Sequence, residues 1–488
     1  MHAIFLFKRS TLLGEFMKFY SILFFGLATF LGCKEESSNT VNYAYFGGEI
    51  INPSTNYVVL SKNEIVIDTI RLDNKNRFLH KLENLEKGLY TFRHAGEYQM
   101  VLLEPNDSVL FRLNTLDFDG SLVFTGRGDK KNNYLINDFI ENEKEEKHIV
   151  RLCQLSPEAY EKHVDSLRSI KLQQLAHFTN KHKPSELFLK IAQANINYNY
   201  FSSKEVYPFV HYGRNKAAIL KSVPENFYAY RKDIDYNDEF LSRDYNYNTF
   251  LRHHFSNISL QVHDDHSEKH SFHEKSVCYN LDRLNLIDSL VNNPITKEDL
   301  LYYFAMRYIS KSKNNQGNNK VLESYLAKSN NQKNKEALVL YTQSLNSLKE
   351  GRKLPEVNVV SYNNHVVSIR SLIKKPTAIT FWSQVYYDHF KDSHYKLNEL
   401  KDKYPEIHFI TINIDESGLD RSKQMLAGHQ FDQTNEYKLK DPKKGKTILA
   451  VYPMTKTIIL DKHANIINSH SNIFSSRFEE QLLGLINR

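Results

Sequence analysis

The six residues Thr377 to Trp382 constrain this 488-residue chain more than any other segment. The run Thr-Ala-Ile-Thr-Phe-Trp is short, rich in β-branched and aromatic residues, and preceded by Lys375-Pro376. Such a segment suits a parallel strand buried on both faces, which in turn needs helices to cover it. The following residues supply one: Phe390, Leu397, Leu400 and Tyr404 recur at helical spacing, and the helix should stop at Tyr404-Pro405, because proline disfavours helix in the residue before it. A second strand is expected over residues 408–415. Residues 457–466 read as a strand, a turn carrying Asn465 and a returning strand. Phe478, Leu482, Leu483 and Ile486 predict the apolar stripe of a closing helix.

Taken in order from Leu354-Pro355, residues 354–488 resemble the thioredoxin-like domain of membrane-anchored thiol-disulfide oxidoreductases of the TlpA and ResA type. In that family a strand ending in Phe-Trp delivers a Cys-x-x-Cys pair to a helix start, where amide groups and the helix dipole stabilise a thiolate. The segment Phe381-Trp382-Ser383-Gln384-Val385-Tyr386-Tyr387-Asp388-His389 resembles that site with both cysteines removed. The two slots fall on Tyr386 and His389, and a phenol and an imidazole cannot form a disulfide. Asp392 occupies a slot where the family often has Glu. The resemblance also implies a cis-proline beside the site. The family spacing lands on Thr455, whereas the nearest proline is Pro453. Either an insertion leaves the role to Pro453, or the feature is lost and Thr455 replaces it. Trp382, the sole tryptophan, is expected to pack beneath the loop.

The amino terminus predicts export. After Met17-Lys18, the apolar run from Phe19 to Phe30 is too short to span a bilayer and fits a cleaved signal peptide. Phe30-Leu31-Gly32-Cys33 is similar to a bacterial lipobox, which implies that Cys33 is acylated and attaches the chain to a membrane. Polar residues from Lys34 onward read as a tether. The expected location is the cell envelope, on the periplasmic side or the outer surface.

Residues 43–127 read as short strands separated by Asn, Gly, Pro and Asp turns, the pattern of a small sandwich. Their motifs, from Gly48-Glu49-Ile50 to Phe124-Thr125-Gly126-Arg127-Gly128, resemble the DUF4369 β-domain. Residues 128–353 carry amphipathic helical spacing, interrupted by a polar patch from Lys311 to Lys320. The expected fold is a multidomain α+β chain. Residues 1–33 form the signal peptide and lipobox and 34–42 the tether; 43–127 form the N-terminal small β-sandwich, 128–353 a central α-helical domain with its linker, and 354–488 the C-terminal α/β thioredoxin-like fold.

The net charge of +7 comes without a dense Lys/Arg stripe interleaved with aromatics, which excludes nucleic acid as a partner. Gly-rich phosphate loops, His-Glu-x-x-His elements and nucleophile elbows are missing from the sequence, so no cofactor is expected. Beyond Cys33 only Cys153 and Cys278 remain. They either pair as a structural bridge in an oxidising compartment or stand as buried free thiols. His263, His266, His270 and His273 would align on one face of a helix and suit zinc, copper or nickel; as a polar stretch between helices they read as a solvated loop. His389, near Asp388 and Asp392, is either a general base or metal ligand with Tyr386, or a surface residue.

The leading expectation is a redox-inactive binding or scaffold module that holds an extended polypeptide or an envelope protein. The first alternative is a thiol-disulfide oxidoreductase of the TlpA/ResA type, working through Cys153 and Cys278 or a partner's thiol. The second is metal handling through the tract His263 to His273.

Overall fold

The computed structural model describes residues 42–53, 55–94, 96–266 and 273–487. The leader, the lipobox cysteine Cys33 and the tether lie outside the described residues, as does His270. Among the described residues no helix is long and apolar enough to cross a membrane. The fold is mixed α/β, with three sheets and fourteen α-helices among the described residues.

Eight strands open the chain: β1 (Tyr43–Ile51), β2 (Tyr57–Lys62), β3 (Ile65–Arg71), β4 (Arg77–Glu83), β5 (Gly88–His94), β6 (Glu97–Leu103), β7 (Ser108–Asn114) and β8 (Val123–Arg127). They form two four-stranded sheets, ordered β4-β1-β7-β8 and β3-β2-β5-β6. Alternate side chains point inward, and Phe46, Phe78, Phe92, Phe111 and Phe124 meet ring to ring. Centroid distances between 4.8 and 6.5 Å suit offset and edge-on aromatic packing. Strand β4 carried little apolar signal in the sequence. Its pairing with β1 recruits it, and it buries only Phe78 and Leu82 deeply.

Among the described residues nine α-helices follow, of which two position what comes later: α5 (Tyr245–His266) and α6 (Val277–Leu290), counting from α1 (Asp129–Leu152). Glu205, fully buried, is held ionised in their midst. Burial opposes the charge, but Arg231 and His254 outweigh it and keep the carboxyl at about 2. The polar patch from Lys311 to Lys320 interrupts the helices, as expected, but only over residues 312–314. Its second half begins the helix Asn315–Lys328, because the Asn314 side chain caps Gly317 N–H at 3.0 Å and Val321 and Tyr325 are fully buried.

The last third builds a seven-stranded sheet in the order β10-β9-β13-β12-β11-β14-β15. Its strands are β9 (Asn358–Ser361), β10 (Val366–Ser368), β11 (Thr377–Trp382), β12 (His408–Asn413), β13 (Glu436–Leu439), β14 (Lys456–Leu460) and β15 (Ile466–Asn472). The expected order of strand, helix, strand, hairpin and helix is present. Strand β11 runs parallel to β12 and antiparallel to β14, and all six of its residues are buried. Helix α11 (Tyr387–Lys403) ends before Pro405, and Phe390, Leu397 and Leu400 face the core. In the closing helix α14 (Phe478–Ile486), Leu483 is exposed rather than inward; Leu485 lies on the buried face with Phe478 and Leu482.

The expected separation of a helical domain from the thioredoxin-like region is softened by a shared core. One apolar cluster runs from Phe250, Phe304 and Leu345 through Leu354 to Ile379, Phe381 and Ile458. The linker also joins the sheet, since Gly351 N–H and Leu354 N–H donate to the carbonyls of Ile466 and Ala464.

Candidate functional site

At the end of β11 the chain enters the loop that joins it to α11, and a carboxylate shapes that loop. Ser383 Oγ–H donates to Asp415 Oδ1 at 2.5 Å and Gln384 N–H to Asp415 Oδ2 at 2.8 Å. Asn413 Nδ2 reaches the same oxygen at 2.9 Å. Lys438 Nζ then donates to Asn413 Oδ1 at 2.7 Å and to the Asp415 carbonyl at 2.5 Å. Charge-assisted bonds of this kind are roughly twice as strong as neutral ones, so Asp415 sets the loop's conformation without any sulfur.

Beneath the loop, Trp382 is buried and packs on Phe390 at 4.9 Å between ring centroids. Its indole N–H donates to Glu436 Oε2 at 3.0 Å. Glu436 is itself buried, accepts the Thr411 hydroxyl, and lies 3.2 Å from His394 Nε2. The sequence reading placed Trp382 correctly but missed Glu436 and His394. Nothing local marks a buried acid that starts a short strand and answers an indole two strands away.

Tyr386, at the first slot, is 55% exposed and stands at the start of α11 without a side-chain cap. His389, at the second, is half-buried, and burial followed by His394 pushes its imidazole below its ordinary value, which keeps it neutral at pH 7. Its ring lies 5.9 Å from Phe474, and its buried Nδ1 has no hydrogen-bond partner among the described residues. The Tyr452–Pro453 bond is cis, while Thr455 lies in the turn before β14. Buried Lys456 donates to the carbonyls of Leu449 and Ala450 and so ties down the segment that carries Pro453.

The β-sandwich meets this loop. Gly96, between β5 and β6, approaches so closely that a β-carbon added to it would fall 1.9 Å from the Gln384 carbonyl oxygen. Arg421, in the helix Leu419–Gly428, donates to the Tyr57 hydroxyl at 2.9 Å and makes a second tie. Glu97 next to Gly96 is pushed up to about 7, first by burial and then by Asp119 and Asp388, with Lys391 opposing and Asp117 adding slightly.

The remaining candidates lie elsewhere. No disulfide joins Cys153 and Cys278, and they are not both buried: Cys153 sits in the helical core against Tyr160 and Tyr207, while Cys278 is exposed. The histidine tract is not simply a loop. His263 and His266 belong to the last turn of α5, and His273 is exposed ahead of α6.

No protein-family model matches the chain, and no curated protein matches it. Among solved structures it is similar to a protein described as a thiol-disulfide oxidoreductase from Bacteroides vulgatus, at 18% identity over 28% of this chain and 98% of that one, with a TM-score of 0.26. It is also similar to a protein described as the thiol:disulfide interchange protein DsbE from Chlorobium tepidum, at 20% identity over 29% of this chain and 97% of that one, with a TM-score of 0.25. A third likeness is to a protein described as a protein disulfide isomerase from Bacteroides thetaiotaomicron, at 14% identity, covering 29% and 89%, with a TM-score of 0.25.

Two outcomes follow from the contact between sandwich and loop. Gly96→Val should force the sandwich off Gln384, costing about 1–3 kcal/mol of stability, as overpacking does, and speeding amide exchange at residues 383–386; exchange mass spectrometry would show it. Glu97 titrates above its unfolded value of 4.5, so the native state holds the extra proton and stability should fall as pH rises from about 4.5 to about 7. Thermal melts across that window should show the fall, and Glu97→Gln should flatten it.

Proposed function

We propose that this chain is a lipid-anchored protein of the cell envelope whose C-terminal region is a thiol-free thioredoxin-like scaffold. The observation that carries the reading is the loop itself: an exposed phenol and a neutral imidazole occupy the two slots, and a carboxylate holds the backbone around them. In this reading the layout is modular, with a DUF4369-like sandwich, a helical domain and the thioredoxin-like region in sequence. The face used for disulfide exchange in the family it resembles instead seats the chain's own sandwich through Gly96. Val385, Tyr386 and Tyr452 stay exposed beside it and offer aromatic and aliphatic surface to an extended polypeptide or an envelope protein.

The chemistry of the two described cysteines gives the oxidoreductase alternative little support. Burial pushes the Cys153 thiol up to about 11, which leaves roughly one part in ten thousand as thiolate at neutral pH. Cys278 is exposed, but burial and then Asp282 raise its thiol as well. Neither lies in residues 354–488.

The purified protein should show no turnover in an insulin-reduction assay with dithiothreitol. Turnover that disappears in the Cys153→Ser/Cys278→Ser double variant would overturn the scaffold reading. For the anchor, cells fed labelled palmitate should label the chain, and Cys33→Ser should abolish both labelling and membrane fractionation; unchanged fractionation would remove the lipid from the account.

A further inference from the structure

Away from the loop, two helix ends bring four metal-ligating side chains together. His263 and His266 are three residues apart in the last turn of α5, and Cys278 and Asp282 are four apart at the start of α6, so each pair shares one helix face. The two faces meet. Asp282 Oδ2 lies 3.3 Å from His263 Nδ1, 3.0 Å from His266 Nε2 and 3.9 Å from Cys278 Sγ, and Cys278 Sγ lies 4.0 Å from His266 Nδ1. One donor atom from each of the four residues fits within 4.8 Å of all the others.

From this geometry we propose that His263, His266, Cys278 and Asp282 form a zinc-binding site that clips the end of α5 to the start of α6. Zinc at about 2.0–2.1 Å from nitrogen and oxygen and about 2.3 Å from sulfur separates its tetrahedral ligands by about 3.3–3.6 Å. Closing the widest gap therefore takes about an ångström of side-chain movement, and the shorter contacts already fit. Two imidazoles, a thiolate and a carboxylate make a mixed nitrogen, sulfur and oxygen set, which suits zinc or cobalt and excludes calcium and magnesium as the preferred ions. Four protein ligands leave no open position, so the role is structural rather than catalytic. Accessibility fits loading from solvent: the side chains of His263 and Asp282 are 6% and 15% exposed, whereas His266 is 45% exposed and Cys278 lies at the surface. The site overlaps the histidine tract of the sequence only in part. It omits His273 and draws Cys278 and Asp282 from the next helix.

The test uses the full chain, stripped with a chelator and titrated with zinc chloride against a chromophoric competitor and separately with cobalt chloride. One equivalent should bind, with a thiolate-to-cobalt charge-transfer band and release of the thiol proton. Cys278→Ser should abolish the band, His266→Ala and Asp282→Asn should each weaken zinc binding roughly tenfold or more, and His273→Ala should change neither. His266 and Cys278 are exposed, so those variants should fold, as circular dichroism would verify. Stoichiometric binding that survives both exposed-site variants, cobalt binding without the band, or wild-type protein that binds no equivalent would each overturn the site.

Discussion

Strand β11 has no exposed residue, and the C-terminal half of the structure is arranged around that constraint. Ile379 and Phe381 enter the core shared with the helical region, whereas Ala378 faces Leu397, Leu400 and Phe478 on the other side. A strand with apolar cover on both faces and hydrogen-bonded neighbours at both edges has one register available, because a slip by one residue would exchange the two faces. The end of β11 is therefore fixed in space, and with it the loop from Ser383 to Tyr386. Trp382 continues the same logic, wedged over Phe390 and tied by its indole to Glu436.

What a redox site needs at that loop and what this chain provides are different. A reactive thiolate requires stabilisation of negative charge at the helix start. Here the stabilised negative charge is the Asp415 carboxylate behind the loop, and the helix start presents the exposed Tyr386. The bonds to Asp415 hold the loop backbone, and the sandwich rests on that backbone where Gly96 has no side chain to interfere. The acidic neighbours Glu97, Asp119 and Asp388 make the junction weaker when all are ionised, so the same contact that seats the sandwich also limits its strength.

The cysteines and histidines outside the loop acquire meaning only from helix packing. Cys153 is a small apolar filler among tyrosines. Cys278, read in the sequence as a buried thiol or half of a bridge, faces His266 and Asp282 at the surface. His263 and His266 read as part of a polar tract, but α5 extends to His266 because Tyr247, Phe250, Leu251, Phe255 and Leu260 bury one face along its length. That packing carries the two histidines beyond the point where local polarity would have ended the helix.

Sequence alone determined the elements whose signals are local. The buried run at Thr377, the helix halted before Pro405, the hairpin turn at Asn465 and the absence of cysteine around Tyr386 and His389 are each written within a few neighbouring residues. Periodicity and proline stereochemistry act over one or two turns, so they survive without knowledge of the fold. Tertiary structure decided the rest: Gly96 against Gln384, Glu436 beneath Trp382, and Asp282 between two histidines of another helix. Such meetings depend on how whole faces pack at a distance in the chain, and no short-range pattern records which side chain will lie opposite another once those faces close.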